Sequence, residues 1–182
     1  MTEKEKMLAG QPYNAETPLL RQERLKARQL CFEYNNTPPE KGRAVQILDR
    51  LLGKHGKNCC INPNFFCDYG YNIEVGDNFF ANYNLIVLDC AKVTIGDNVF
   101  IAPNVGIYTA GHPIDAASRR AGEEYAKPVR IGNDVWIGGG VSILPGVSVG
   151  NNCVIGAGSV VTKNIPDNSV AVGNPCKVIR KI

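Results

Sequence analysis

The chain has 182 residues, 44% of them hydrophobic, and a formal charge of +3. That length makes one domain with a substantial core, and so small a charge excludes a nucleic-acid binder that works through a basic surface. No run reaches the ~18 apolar residues of a membrane span, and the seven cysteines, with no CxxC pair, fit neither a zinc site nor a disulfide framework.

The N-terminus, MTEKEKMLAG, alternates charges and lacks the apolar stretch of an export signal. A reducing cytoplasm with free thiols is the expected setting. Thr2 followed by Glu5 predicts a capping box and a short helix ending at Ala9-Gly10. Thr17-Pro18 predicts a second helix, with threonine as N-cap and proline in the first turn. In its stretch PLLRQERLKARQLCFEYN, the apolar Leu19, Leu20, Leu25, Leu30 and Phe32 sit among charges, and Leu25, Gln29 and Phe32 trace a stripe. Thr37-Pro38-Pro39-Glu40 repeats the capping signal for a third helix, whose Val45, Leu48, Leu51 and Leu52 share a face before Gly53. His55 is expected to cap that helix's end. Residues 1–57, with eleven Lys/Arg against seven Asp/Glu, read as a helical segment separate from residues 58–182.

From about Ile61 the periodicity changes. Residues 131–166 read in sixes as IGNDVW, IGGGVS, ILPGVS, VGNNCV, IGAGSV and VTKNIP. Upstream, blocks start at Val75, Ala81 and Val87, then slip by two residues to Ile95 and Ile101. A helix has no use for a period of six, and a plain strand shows a period of two. Short β-branched strands alternating with tight turns do give six, each block forming one side of a triangular coil of about 18 residues. First-place Ile fills the prism, a smaller fifth-place residue such as Val135 or Cys153 fits beside it, and Gly, Asn and Asp between them make the turns. Six unbroken blocks therefore predict a parallel β-helix. The stretch TAGHPID, Thr109–Asp115, breaks the register and begins a protruding loop at 109–130 that carries His112, one of two histidines.

The blocks resemble the hexapeptide-repeat acyltransferases. The stretches EKEKMLAGQPYNA, RLKARQLCFEYN, FFCDYGYNI, NFFANYNL, YTAGHPID, VWIGGGV, IGAGSVVTK and GNPCKVIRKI resemble the maltose and galactoside O-acetyltransferases in particular, over nearly the whole chain. The resemblance implies an all-β main domain folded as a left-handed β-helix, a small helical N-terminal segment on the acceptor side, and a homotrimer with sites between subunits. It implies transfer of acetyl from acetyl-CoA to a sugar hydroxyl, with no metal, no nucleic acid and no membrane involved.

A hydroxyl is a poor nucleophile and needs a base. Histidine, with an ordinary pKa near 6.5, suits that role. His112 stands where the family carries its catalytic histidine; on residue type alone it is as readily a turn residue. Asn82 matches the asparagine that stabilises the tetrahedral transition state and touches the acceptor; from the residues alone it is a turn asparagine. Asp68 falls in the acceptor-binding motif, where aspartate marks the maltose branch and serine the galactoside branch. Asp89 belongs to another acceptor-contact region, in which Cys90 stands where relatives carry a carboxylate. Asn14, Glu124 and Tyr125 are further acceptor candidates.

Resemblance also assigns Trp136, Gly139, Ala157, Thr162, Lys163, Lys177 and Arg180 to an acetyl-CoA groove. Gly138-Gly139-Gly140 admits close approach to backbone amides, and the basic residues match the phosphates of such a ligand. No cysteine is paired with a histidine by motif, so an acyl-cysteine intermediate is not expected. A galactoside or other saccharide acceptor is the neighbouring alternative, and a non-catalytic β-helix scaffold is the alternative of another class.

Overall fold

The computed structural model describes residues 1–38 and 42–182. From Lys54, which bridges to Glu74, the chain winds as a parallel β-helix of triangular section. Face one stacks Cys60–Ile61, Phe80–Ala81, Phe100–Ile101, Trp136–Ile137, Cys153–Ile155 and Ser169–Val172. Face two stacks Phe66–Cys67, Ile86–Leu88, Gly106–Tyr108, Ser142–Ile143 and Val160–Val161. Face three stacks Ile73–Val75, Val93–Ile95, Val129–Ile131 and Ser148–Val149. A last strand, Lys177–Lys181, folds back antiparallel on face one. The all-β prism of stacked parallel coils expected from the sixes is the fold.

Its chemistry follows the blocks. First-place Ile131, Ile137, Ile143, Val149, Ile155 and Val161 are buried, and so are fifth-place Val135, Val141, Val147, Cys153, Ser159 and Ile165. Each buried Ile or Val contributes roughly 1.5–3 kcal/mol, against about 1 kcal/mol for a net hydrogen bond, so the interior outweighs the turns. The turns fix the geometry instead. Fourth-place Asn78, Asn98, Asp134 and Asn152 take left-handed φ values of 51–57°. At the edge joining faces three and one, the side chains of Asp77, Asp97, Asn133, Asn151 and Asp167 each accept a backbone N–H from the coil before, at 2.7–2.8 Å.

The two-residue slip before Ile95 has a cause at the edge joining faces two and three. Asp89, wholly buried, turns its carboxylate inward. Its Oδ1 accepts the N–H groups of Asp68 and Tyr69 at 3.0 and 2.8 Å, and its Oδ2 that of Asn72 at 3.3 Å. A wider turn needs an internal acceptor for amides that the neighbouring coil leaves unpaired. Thr109 serves the next coil in the same way, accepting from Ala91 N–H at 2.9 Å and donating to the Leu88 carbonyl at 2.6 Å.

Three helices precede the prism: α1 (Glu3–Leu8), α2 (Pro18–Asn35) and α3 (Arg43–Leu51). The Thr2–Glu5 capping box forms as expected. Thr17 precedes α2 but makes no side-chain cap bond. The stripe through Leu25 and Phe32 is corrected: both are exposed, while Leu20, Ala27, Leu30, Cys31 and Tyr34 face inward. Small residues at 27 and 31 let the helix approach the first coil closely, which hydrophobicity alone does not reveal. In α3, Val45 is exposed and Ile47, Leu48 and Leu51 are buried. The capping signal at Thr37-Pro38-Pro39-Glu40 lies partly outside the described residues, and α3 begins at Arg43. His55 bonds the side chain of Asp49 through Nε2 at 2.9 Å and the Gly56 carbonyl through Nδ1 at 3.0 Å. α2 and α3 share one continuous apolar cluster with the prism, so the helical segment plugs its first coil.

Candidate active site

The loop leaves the prism after Thr109. Ala110–Gly111 pairs antiparallel with Glu123–Ala126, which in turn pairs with Tyr13–Asn14 from the N-terminal segment. Gly111 gives room there to the Tyr125 ring, from which a Cβ would lie 2.5 Å. His112 follows directly and is exposed. Beyond it the loop ties itself down. Asp115 caps the short helix α4 (Ala116–Arg120) by accepting Ser118 N–H at 2.7 Å, and Arg119 donates to the Pro113 and Ile114 carbonyls, both at 3.0 Å. Asn14, Glu124, Tyr125 and His112, scattered in sequence, thus gather at one three-stranded sheet.

Beneath that sheet lies a second, smaller core of Met7, Tyr13, Ala15, Leu20, Tyr69, Cys90, Ala91 and Ala126. It welds the N-terminal segment, the edge between faces two and three, and the loop. Polar contacts run through it. Tyr13 donates to Glu124 Oε2 at 2.9 Å, and the Cys90 thiol donates to Asp68 Oδ2 at 3.4 Å. Arg24 Nη1 donates to Tyr69 Oη at 3.1 Å and to the Ala15 carbonyl at 2.8 Å. Burial pushes the Asp68 carboxyl above its ordinary range, against the pull of the Cys90 thiol and Arg24. Burial likewise pushes the Cys90 thiol up, and the nearby Asp68 charge adds to it. Such a thiol is no nucleophile at neutral pH. Tyr13 and Arg24 lie in the stretches EKEKMLAGQPYNA and RLKARQLCFEYN, but nothing in those letters gives either a role at the site; the fold brings them here.

Asp89 stands apart from the other acceptor candidates. Burial pushes its carboxyl up to about 6, while the Tyr69 amide draws it down. With no exposed surface and its oxygens on backbone amides, it builds the turn that carries Asp68 and does not reach the acceptor side.

Asn82 lies at a different edge, joining faces one and two. Its Oδ1 accepts Tyr83 N–H at 2.8 Å, and its carboxamide nitrogen has no acceptor among the described residues. Gly139 and Ala157 occupy the same edge two and three coils on. Gly138 must be glycine, because a Cβ would lie 2.6 Å from the Ala157 backbone nitrogen. Trp136 stands 57% exposed on face one, and Lys177 and Arg180 are exposed on the strand that folds back along it. Thr162 and Lys163 lie back on the edge of faces two and three, two coils beyond the root of the loop and away from Asp68 and Cys90. A side of the prism takes about five extended residues, roughly 16 Å, whereas a base and an oxyanion donor must meet within about 3 Å of one reacting centre. Within one chain His112 and Asn82 do not meet. A cavity of about 440 Å³ between α2 and the first coil, lined by Arg28, Phe32, Asn64 and Phe66 among others, holds none of the catalytic, acceptor or acetyl-CoA candidates.

Known proteins resemble this chain over its full length. Residues 6–56 match the maltose acetyltransferase hexapeptide capping motif, and residues 128–163 match six repeats of the bacterial transferase hexapeptide. The chain is similar to the crystal structure of a maltose O-acetyltransferase from Clostridium difficile, at 58% identity and TM-score 0.98, covering 100% of this chain and 98% of that one. It is 45% identical to the galactoside O-acetyltransferase of Escherichia coli over 98% of this chain and 88% of that protein. A hexapeptide-repeat acetyltransferase from Vibrio cholerae, solved with acetyl-CoA, is 37% identical with a TM-score of 0.92, covering 100% of this chain and 98% of that one. With a capping segment of helices, a column of sixes and full-length likeness to these enzymes, the chain belongs to the maltose and galactoside acetyltransferase family of hexapeptide-repeat transferases.

Proposed function

We propose that this chain transfers acetyl from acetyl-CoA directly to a hydroxyl of a maltose- or glucose-like sugar, with His112 as general base. The observation that carries the reading is the gathering of His112, Asn14, Glu124, Tyr125 and Asp68 around one edge of the prism. The imidazole takes the hydroxyl proton as the oxygen attacks the thioester carbonyl. The C–O bond forms, the tetrahedral intermediate collapses with cleavage of the C–S bond, and the proton passes to the departing thiolate. The carboxamide nitrogen of Asn82 donates to the oxyanion; its anchored Oδ1 supports that role. Aspartate at 68 and the 58% identity to a protein named a maltose O-acetyltransferase support a glucosyl acceptor over a galactosyl one.

The reading requires a partner copy, because base and oxyanion donor sit at different edges. The outer surfaces support a ring. Face one presents Phe80, Phe100, Trp136, Val154 and Val170 in one register row, face two presents Phe66, Ile86 and Val160 in a row with Gly106 and Ser142, and face three presents Glu74, Thr94, Arg130 and Ser148. Two adjacent apolar faces and one polar face suit a head-to-tail contact that closes as a trimer. Acceptors are sorted by measuring thiol release from acetyl-CoA with maltose, glucose, methyl galactoside and glucosamine. Transfer to maltose or glucose at the highest kcat/KM is expected; a preference for glucosamine overturns the sugar-hydroxyl reading, and absence of both transfer and acetyl-CoA binding overturns the enzyme.

A further inference from the structure

Cys90 is a small, nearly buried residue in the floor beneath the loop, beside Ala91, which fills the same core. Packing alone is served by alanine or valine there. What distinguishes cysteine is its S–H, and that donor ends on Asp68 Oδ2. The Tyr13 hydroxyl lies against the same thiol while donating to Glu124 Oε2. One oxygen of each carboxylate is therefore engaged from below. Asp68 Oδ1 and Glu124 Oε1 have no donor among the described residues.

We infer that Cys90 is a positioning residue that sets acceptor specificity, by holding the Asp68 carboxylate so that Oδ1, together with Glu124 Oε1, accepts from hydroxyls of the sugar. The inference rests on the acceptor reading given above. Two fixed acceptor oxygens select a ligand that offers two donors, and an unpaired oxygen penalises a ligand that lacks one. The substrate class that fits is a polyhydroxylated pyranose rather than a deoxy sugar or an alkyl alcohol. Tyr13 gives the device its reach, since the same small core joins the N-terminal strand, the turn and the loop, and fixes both carboxylates at once.

The test compares Cys90→Ala, Cys90→Val and Cys90→Ser with Asp68→Asn, using acetyl-CoA and whichever of maltose, glucose and methyl galactoside the native chain acetylates best. If the S–H matters, Ala and Val raise the acceptor KM about tenfold, leave the acetyl-CoA KM unchanged, and move the acid limb of the acceptor kcat/KM to higher pH. Ser, which keeps a donor, restores both. If cysteine is only a filler, Val matches the native chain and Ser is the worst of the three, which overturns the inference. Should Asp68→Asn leave acceptor kinetics untouched, the acceptor reading itself falls. An effect of Asp68→Asn without one of Cys90→Ala sinks only the role of the thiol.

Discussion

The Asp89 carboxylate and the backbone N–H of Tyr69 lie 2.8 Å apart across the boundary between two coils. With the amides of Asp68 and Asn72, that makes three donors on one buried side chain. Asp89→Ala leaves them without an acceptor in the interior. A stability loss of about 3–5 kcal/mol is expected, read as a fall in the urea midpoint. A variant as stable as the native chain contradicts this assignment.

The same carboxyl gives a pH signature. Burial holds it up at about 6 in the folded chain, above its ordinary value near 4. Between those values the folded chain keeps a proton that the unfolded chain has released. The contribution of this group to stability therefore falls as pH rises through the window, and is largest below it. Going from pH 5 to pH 7 should lower the urea midpoint more in the native chain than in Asp89→Asn, which does not titrate. Identical slopes exclude a raised Asp89.

His112 is exposed, so its replacement costs the fold little. His112→Ala is expected to lower kcat by roughly 10²–10⁴, with melting temperature and acetyl-CoA affinity unchanged. Asn82→Ala should cost about 10²–10³ through the lost oxyanion donor. Turnover near native in either variant removes that residue from the mechanism.

A sharper measurement mixes the two. If each site takes His112 from one copy and Asn82 from the next, refolding His112→Ala and Asn82→Ala chains together in equal amounts rebuilds about a quarter of the sites. Activity near that fraction, from two inactive parents, is the expected result. A mixture as inactive as its parents means that base and donor belong to the same chain.

At Gly138, an added methyl meets backbone atoms of the next coil, which cannot move aside as a flexible side chain does. Gly138→Ala should destabilise by about 1–3 kcal/mol and raise the acetyl-CoA KM, leaving the acceptor KM alone. Differential scanning calorimetry with parallel kinetics on both substrates checks both effects.

The column was legible in the sequence because each inward place has one physical demand, burial of a β-branched side chain every sixth residue. The loop was legible as the place where that demand lapses. What stayed hidden depends on distances between coils. Asp89 reads as a surface acceptor contact because carboxylates are seldom fully buried, and nothing in the letters VLDCAK shows the amides that it faces. The inward side of α2 is hidden because Ala27 and Cys31, small enough for close approach, contribute less to an apolar stripe than the exposed Leu25 and Phe32. The placement of His112 and Asn82 on different edges follows from counting blocks around a triangle. The slip at 89–92 and the loop upset that count until coordinates restore it.

Stacked turns of the backbone repeat at about 4.8 Å, so height along this column comes in fixed steps. Asp68, Cys90 and the root of the His112 loop stand at three successive graduations of one corner. Adding or deleting a whole rung would leave the interior as well packed as before, yet carry everything above it one notch away from its counterpart. On the proposed mechanism the shaft is thus a ruler, its rung count answering to the distance that the chemistry must span and not to the interior.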